Sequence, residues 1–399
     1  MNELMSLAEN KSTIEQKRTD DNISSLLKRI TSRDTYFVLF PKQLERLKQI
    51  SEAIFKLANE TLLEVIKRDE VESWMESRYG VVKSLWKNSQ AGINIARFDF
   101  AWDQEKNFKI LELNVGSSSG WAFASLIEKE ASAEKIGVPL APSSIFLATY
   151  LLNKLGSKIA IIIIDTFTEH DIMIRQIESM GGEIKVFNLS EVNFQDIINF
   201  APTGIFWKAH TGLVDHSDMI LKLANLRLPQ LPSFESMFIA GDKSFLAILS
   251  DRDTTGAIPK TYVMSKNDLS KNLNFFEQHK AVLKAGDSIR GRDVILGKNF
   301  KDSWEDKLRE IMNSNREWII QELCYLQNTK DNRFEDITVF IADGVVQGFG
   351  SRISSSEVVN ASHGGFGQSV VLNDATGLLI CSSIILKNFN DQSEARGKG

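Results

Sequence analysis

The tightest constraint on the fold lies between residues 93 and 114. Ile93-Asn-Ile-Ala-Arg97-Phe98-Asp99-Phe100-Ala-Trp102 alternates with a period of two, the pattern of a half-buried strand. Residues 103–107 are polar and turn-forming, and Lys109-Ile-Leu-Glu112-Leu113-Asn114 reads as the return strand of a hairpin. Side chains two apart share one face of a strand. The hairpin therefore gathers Arg97, Asp99, Glu112 and Asn114 on one side and turns Phe98, Phe100 and Leu113 toward a core. Two carboxylates and an amide oxygen beside an arginine suit a hard cation such as Mg2+. One such pair alone would equally describe a solvated face with a cross-strand Arg–Glu contact. Two pairs, followed by the loop Val115-Gly-Ser117-Ser118-Ser119-Gly120, favour a site.

Composition limits what can surround this hairpin. A chain of 399 residues, 43% hydrophobic and 25% charged, is globular and long enough for two or three domains. Its net charge of −5 offers no electrostatic reason to expect nucleic acid or an anionic membrane as partner. Two cysteines, Cys324 and Cys381, cannot build a disulfide framework or a zinc site. The apolar run at Ile159–Ile164 falls far short of the roughly 18 residues of a membrane span. Met1-Asn-Glu-Leu-Met lacks the basic-then-apolar pattern of a secretory signal, so the expected setting is the cytoplasm.

Composition and periodicity divide the chain into segments. Residues 1–35 read as a polar N-terminal segment. Within 36–140, Leu44, Leu47, Ile54, Leu57, Ala58, Leu62 and Val65 recur at three- and four-residue intervals and predict a helix after Pro41. Within 141–240, a strand at Ile159–Ile164, a helix stopped by Gly181-Gly182, and strands at Ile184–Phe187 and Gly204–Trp207 predict a small parallel α/β domain. Its first strand runs into Asp165-Thr-Phe-Thr-Glu-His170, with no glycine to approach a pyrophosphate, which speaks against a dehydrogenase. Within 241–390 the pattern predicts a short helix over Asp242–Leu249 and strands around Tyr262, Leu283, Ile319 and Val339. A hairpin turn is expected at Asp343-Gly344. Residues 391–399 form a polar tail.

Several motifs in the last third could carry chemistry. Gly286-Asp-Ser-Ile-Arg-Gly291-Arg292-Asp293 has the glycine spacing of a phosphate loop. Arg-Asp replaces the required Lys-Ser/Thr, however, and the segment sits between strands, which excludes a P-loop NTPase. Such a loop can still cover phosphates with backbone N–H groups, with Lys284 supplying a point charge. An ordinary hairpin turn is the equal alternative. Gln321-Glu322 is either the polar stretch of an edge strand or a strand end that reads adenine and ribose.

The order of these pieces resembles the circularly permuted ATP-grasp fold of the glutathionylspermidine synthase-like family, over roughly Phe98 to Leu372. In the common ATP-grasp order the metal-binding Asp and Glu-x-Asn come last; in the permuted family they come first. The resemblance implies an α/β (α+β) ATP-grasp fold. Residues 36–140 would form its metal-binding half, 241–390 its nucleotide-binding half, and 141–240 a Rossmann-like pre-ATP-grasp domain supporting a substrate. It implies that Asp99, Glu112 and Asn114 hold two Mg2+ ions bridging the phosphates of ATP, and that Arg97 sits over the acyl-transfer centre. Lys243 and Lys284 would contact phosphates, with Gly291 in the covering loop and Arg352 nearby, while Gln321 and Glu322 lie along the adenine. His363-Gly-Gly-Phe-Gly-Gln368 resembles a late glycine-rich segment of the family or is a plain turn. The chain departs from the family after Glu-x-Asn, where Ala-Asp-Thr-Pro-Thr is expected. A different substrate loop, Ser117, Ser118 and Ser119, stands there and leaves the acceptor open. Both this loop and that of Gly291 are expected to act as lids.

The activity so implied is an ATP-dependent carboxylate–amine ligase that forms an amide through an acyl phosphate and releases ADP and phosphate. Its partners would be a small carboxylate and an amine, or a peptide. An enzyme loading an amino acid onto a carrier-protein thiol would use the same machinery, and a non-catalytic binding module is the rival outside enzymes. No nucleic acid or membrane partner is expected, and a homodimer is left open.

Overall fold

The computed structural model describes residues 23–67, 73–86, 92–116, 118–131, 137–164, 168–208, 211–288, 293–300, 303–314, 316–359 and 364–373. The first strands are β1 (Thr31–Leu39), β2 (Ile95–Trp102) and β3 (Phe108–Asn114). Next come β4 (Lys158–Ile163), β5 (Glu183–Asn188), β6 (Gly204–Lys208) and β7 (Gln230–Leu231). Then follow β8 (Thr261–Val263), β9 (Ala281–Ala285), β10 (Val294–Leu296) and β11 (Trp318–Glu322). The last are β12 (Phe334–Ala342), β13 (Val345–Ser354) and β14 (Phe366–Leu372). They form three sheets of a mixed α/β fold.

The large sheet has the strand order β1-β14-β13-β12-β2-β3. The expected hairpin is present, and in its register Arg97 lies opposite Asn114, Phe98 opposite Leu113 and Asp99 opposite Glu112, with a bulge after Asp99. Phe98 and Phe100 are fully buried. Beneath the sheet packs the helix Pro41–Lys67, whose buried positions include Leu47, Ile54, Ala58, Leu62 and Val65. The β12–β13 turn is at Asp343-Gly344, with φ of 45° and 82°. Positive φ at both central residues is what a tight hairpin turn of this hand requires.

Two strands depart from the sequence reading. β1 begins inside the segment read as polar, and β14 begins inside the segment 363–368, read as a glycine-rich segment of the family or a plain turn; the two pair in parallel. β1 opens with the polar run Thr31–Thr35 and β14 with Phe366-Gly-Gln-Ser369, and the apolar run that follows (Tyr36–Leu39, Val370–Leu372) is too short to show a period.

The parallel sheet has the order β5-β4-β6-β7. Its central β4 is buried on both faces from Ile159 to Ile163, as strands covered on two sides are. The small antiparallel sheet, β10-β9-β11-β8, packs Leu283 and Ile320 on Leu308 and Ile311 of the helix Trp304–Met312. It is stitched to the large sheet by backbone bonds between Trp102 and Tyr325 (2.9 and 2.7 Å) and from the Ile110 N–H to the Ala257 carbonyl (2.8 Å). Among the described residues no helix is long and apolar enough to cross a membrane.

Ile162, at 0% exposure in the middle of the parallel sheet, tests this packing. Ile162→Ala is expected to lower unfolding free energy by about 2–5 kcal/mol in urea titrations. A loss under about 1 kcal/mol would mean that the strand is not enclosed as described.

Candidate functional site

A cavity of about 600 Å³ opens between the large and small sheets. Arg97, Asp99, Glu112, Asn114, Ser119, Lys243, Lys284, Gln321, Glu322 and Arg352 all line it. Residues from opposite ends of the sequence thus meet at one cleft. Ser118 is buried beside it. Ser117 and Gly291, like His363, lie outside the described residues.

The centre of the cleft is Asp99, 1% exposed. Its Oδ1 accepts from Arg97 Nε (3.1 Å) and Thr338 Oγ1 (3.0 Å). Its Oδ2 accepts from Arg97 Nη2 (2.9 Å) and Asn114 Nδ2 (3.3 Å), and faces Arg352 Nη2 at 3.1 Å. Burial pushes the Asp99 carboxyl up, but Arg352 and Arg97 more than reverse this and hold it below the usual carboxylate range. Arg352 also pairs with the buried Asp336 on the neighbouring strand. There burial wins, with the Asp99 charge adding to it, and the Asp336 carboxyl stays above its ordinary value.

The two lysines are neighbours: the Lys243 N–H bonds the Gly286 carbonyl (2.9 Å), two residues after Lys284. Lys243 Nζ lies 2.8 Å from Glu112 Oε1 and donates to the Ser288 carbonyl. Glu112 stays below the usual range because Lys243 outweighs the effect of burial. Lys284, on β9, donates to Gln321 Oε1 (2.6 Å) and to the Leu111 carbonyl (2.8 Å). Burial pushes its ammonium down to about 8, against the pull of Glu112. Cys324 also lines the cleft, and burial raises its thiol to about 12, which makes it a poor nucleophile.

The turn that presents Lys243 is held from a distance. Buried Asp242 accepts from Tyr79 Oη (2.8 Å) and the Ser244 N–H (2.8 Å) and pairs with Arg78. A Cβ on Gly286 would come within 2.5 Å of Arg78 Nη1, so only glycine lets the guanidinium lie there. Nothing in the sequence links Arg78 and Tyr79 to Asp242. By contrast, Asp336-x-Thr338 has the same two-residue spacing as Arg97-x-Asp99, and that signal could have found it.

The loop after β3 is pinned, contrary to the expectation of a lid. Arg97 Nη1 donates to the Ser119 carbonyl (2.8 Å) and Lys208 Nζ to the Ser118 carbonyl (2.7 Å). Glu169 Oε1 accepts from the Gly120 N–H (2.8 Å) and the Ala122 N–H (3.3 Å). Lys208 and Glu169 face each other at 3.0 Å, each side chain 1% exposed. Lys208 ends β6 and Glu169 opens the helix Thr168–Ser179, so the parallel sheet itself anchors the loop.

Among the described residues no three Asp, Glu, His or Cys side chains converge as a self-sufficient metal site. Asp99, Glu112 and the Asn114 amide form a smaller oxygen set. It fits Mg2+, which takes one or two protein carboxylates and completes its shell with phosphate and water. Glu112, with a side chain 28% exposed, is the more open of the two carboxylates; both oxygens of Asp99 are already hydrogen-bonded.

No family model and no curated protein match the chain. Solved structures do match. One is a protein provisionally assigned as a gamma-glutamylcysteine synthetase from Methylobacillus flagellatus, with a TM-score of 0.45 at 11% identity over 82% of this chain and 91% of that one. A D-cycloserine synthetase matches with a TM-score of 0.39 at 13% identity, over 54% of this chain and 76% of that one. The D-alanine–D-alanine ligase of Bacillus anthracis, complexed with ATP, matches with a TM-score of 0.33 at 19% identity, over 54% of this chain and 72% of that one.

The Lys208–Glu169 pair gives a test of the anchored loop. Lys208→Met strands a buried carboxylate and is expected to cost about 3–5 kcal/mol of stability. The double variant Lys208→Met, Glu169→Leu should recover much of it. No recovery in thermal melts would show that the two charges are not a matched pair.

Proposed function

We propose that the chain is an ATP-dependent ligase of the ATP-grasp type that joins a carboxylate to an amine. The observation that carries this reading is the convergence of Lys243 and Lys284 with the Arg97, Asp99, Glu112 and Asn114 face in one cleft between two sheets. A nucleotide in that cleft would lay its base against Val282, Leu296 and the Gln321–Glu322 strand end, with phosphates toward the lysines. Sequence order adds support. The carboxylate hairpin precedes the small sheet, as in the permuted glutathionylspermidine synthase-like arrangement, with residues 36–140 and 241–390 as the two halves and 141–240 as the support for the substrate loop.

In this reading Lys243 and Lys284 neutralise the phosphates, and Gln321 Oε1 holds the Lys284 ammonium toward them. Asp99, Glu112 and Asn114 would hold Mg2+, which supplies charge neutralisation across the phosphoryl oxygens. A substrate carboxylate oxygen attacks the γ-phosphorus and ADP leaves. An amine nitrogen then attacks the acyl carbon, and phosphate leaves with the bonding electrons. Arg97, fixed by Asp99 and the Ser119 carbonyl, faces the oxyanion formed in between. The sheets on either side exclude water from the acyl phosphate.

The direct test is incubation with ATP, Mg2+ and a panel of amino acids and amines, following ADP and phosphate release and product mass. Glu112→Ala is expected to lose about 100-fold or more of turnover, the order seen when one electrostatic stabiliser is removed. Activity within a few-fold of the parent would overturn the site. A second check uses pH. The Lys284 ammonium is charged below about 8 and neutral above it. Affinity for an ATP analogue should therefore fall about tenfold between pH 6.5 and 9.5, as expected for losing one charge-assisted contact. Lys284→Met should flatten the profile, and an unchanged slope in that variant would remove Lys284 from the phosphate site.

A further inference from the structure

The two lysines of the cleft meet at one junction. Lys243 lies in the turn before the helix Phe245–Ser250, and Lys284 lies on β9. Gly286 joins them. Its carbonyl accepts the Lys243 N–H (2.9 Å), and its own N–H donates to the Glu317 carbonyl (3.0 Å), one residue ahead of β11. Lys243 Nζ donates to the Ser288 carbonyl, two residues further along the same segment.

A third cation enters this junction from a distant part of the chain. Arg78, in the helix Ser73–Tyr79, pairs with Asp242 Oδ2, and its Nη2 donates to Ser244 Oγ (3.1 Å). It thus holds the residue on either side of Lys243. Its guanidinium also lies against Gly286, where a Cβ would stand 2.5 Å from Nη1 and 2.6 Å from Nη2. Aromatic rings fix it from the other direction. Arg78 Cζ is 5.4 Å from the Trp74 ring and 6.0 Å from that of Tyr79. Tyr79 packs on Phe238, with ring centroids 5.4 Å apart, and donates to the same Asp242 oxygen (2.8 Å). Arg78 has a side chain 13% exposed and is not among the residues that line the cleft. What it fixes is the turn that carries Lys243 and the glycine two residues past Lys284. A planar guanidinium can hold two neighbours in set directions, which a single ammonium does not.

We propose that Arg78 is a positioning residue for the phosphate end of the cleft, holding Lys243 at the separation from Lys284 that a polyphosphate requires. The inference rests on the nucleotide reading above. It differs from a general structural role in one respect. Arg78 acts through Lys243, so in a chain without Lys243 it has nothing to position.

Calorimetry on the full chain with Mg2+ would measure the affinity for a non-hydrolysable ATP analogue, with thermal melts as the check on folding. Arg78→Met should weaken the analogue about tenfold, the worth of one charge-assisted contact. In a Lys243→Met background the same change should alter affinity by less than about twofold, because two effects that run through one contact do not add. Arg78→Lys leaves Asp242 a cation but cannot serve Asp242 and Ser244 together. Its affinity should fall between those of the parent and Arg78→Met, and it replaces Arg78→Met in the cycle if that variant does not fold. Gly286→Ala keeps every charge and displaces the guanidinium, and it should weaken the analogue as well. Equal factors in the two backgrounds would overturn this inference and leave the ligase reading standing. So would affinity within about twofold of the parent in the folded Arg78 variant of the cycle or in Gly286→Ala. A parent that binds no analogue overturns both.

Discussion

The structure around the cleft depends on a single buried carboxylate. Taking Asp99 out of water costs several kcal/mol, and the cost is offset only because two guanidiniums, a hydroxyl and an amide converge on it. Those partners come from β2, β3, β12 and β13, four adjacent strands of the large sheet. The same contacts that make Asp99 tolerable also fix the guanidiniums of Arg97 and Arg352. Removing any one partner leaves a charge in a low-dielectric interior and releases a cation as well. Fold and site are therefore coupled at this residue.

The hairpin was legible in the sequence because its two strands are close together and follow one period. Arg97, Asp99, Glu112 and Asn114 fell on one face by alternation alone; the register that pairs Asp99 with Glu112, with its bulge, is set by the folded sheet. The parallel sheet was legible for a different reason, since β4 is a continuous apolar run bounded by turn residues. What escaped was set by contacts between distant segments. Arg78 and Tyr79 reach Asp242 across more than 160 positions, and no local pattern records that. Nothing local to Glu169 shows that it is buried against Lys208 and bonded to the Gly120 and Ala122 N–H groups. Strands β1 and β14 were missed because the apolar run in each is only three or four residues long.

The parallel sheet has a larger part in the site than an outlying support would have. Its two buried charges hold the carbonyl of Ser118 and the N–H groups of Gly120 and Ala122. They thereby set where the helix Trp121–Ala131 begins. Glu169 also places a negative charge at the N-terminus of that helix, where the helix dipole favours one. A shift of this sheet relative to the large one would therefore move Ser118, Gly120 and the start of that helix.

The pairing of β1 with β14 sets the order in which the chain can complete itself. These strands lie more than 300 residues apart in sequence and side by side in space. During synthesis the hairpin and the parallel sheet can form from residues already made, because their contacts are local. The large sheet cannot close until β14 has emerged, so β1 waits for more than 300 further residues with the N–H and C=O groups of that edge unpaired. Contacts of such long range also slow folding in isolation. The strand least visible in the sequence is thus the one most exposed to wrong partners before the fold is finished.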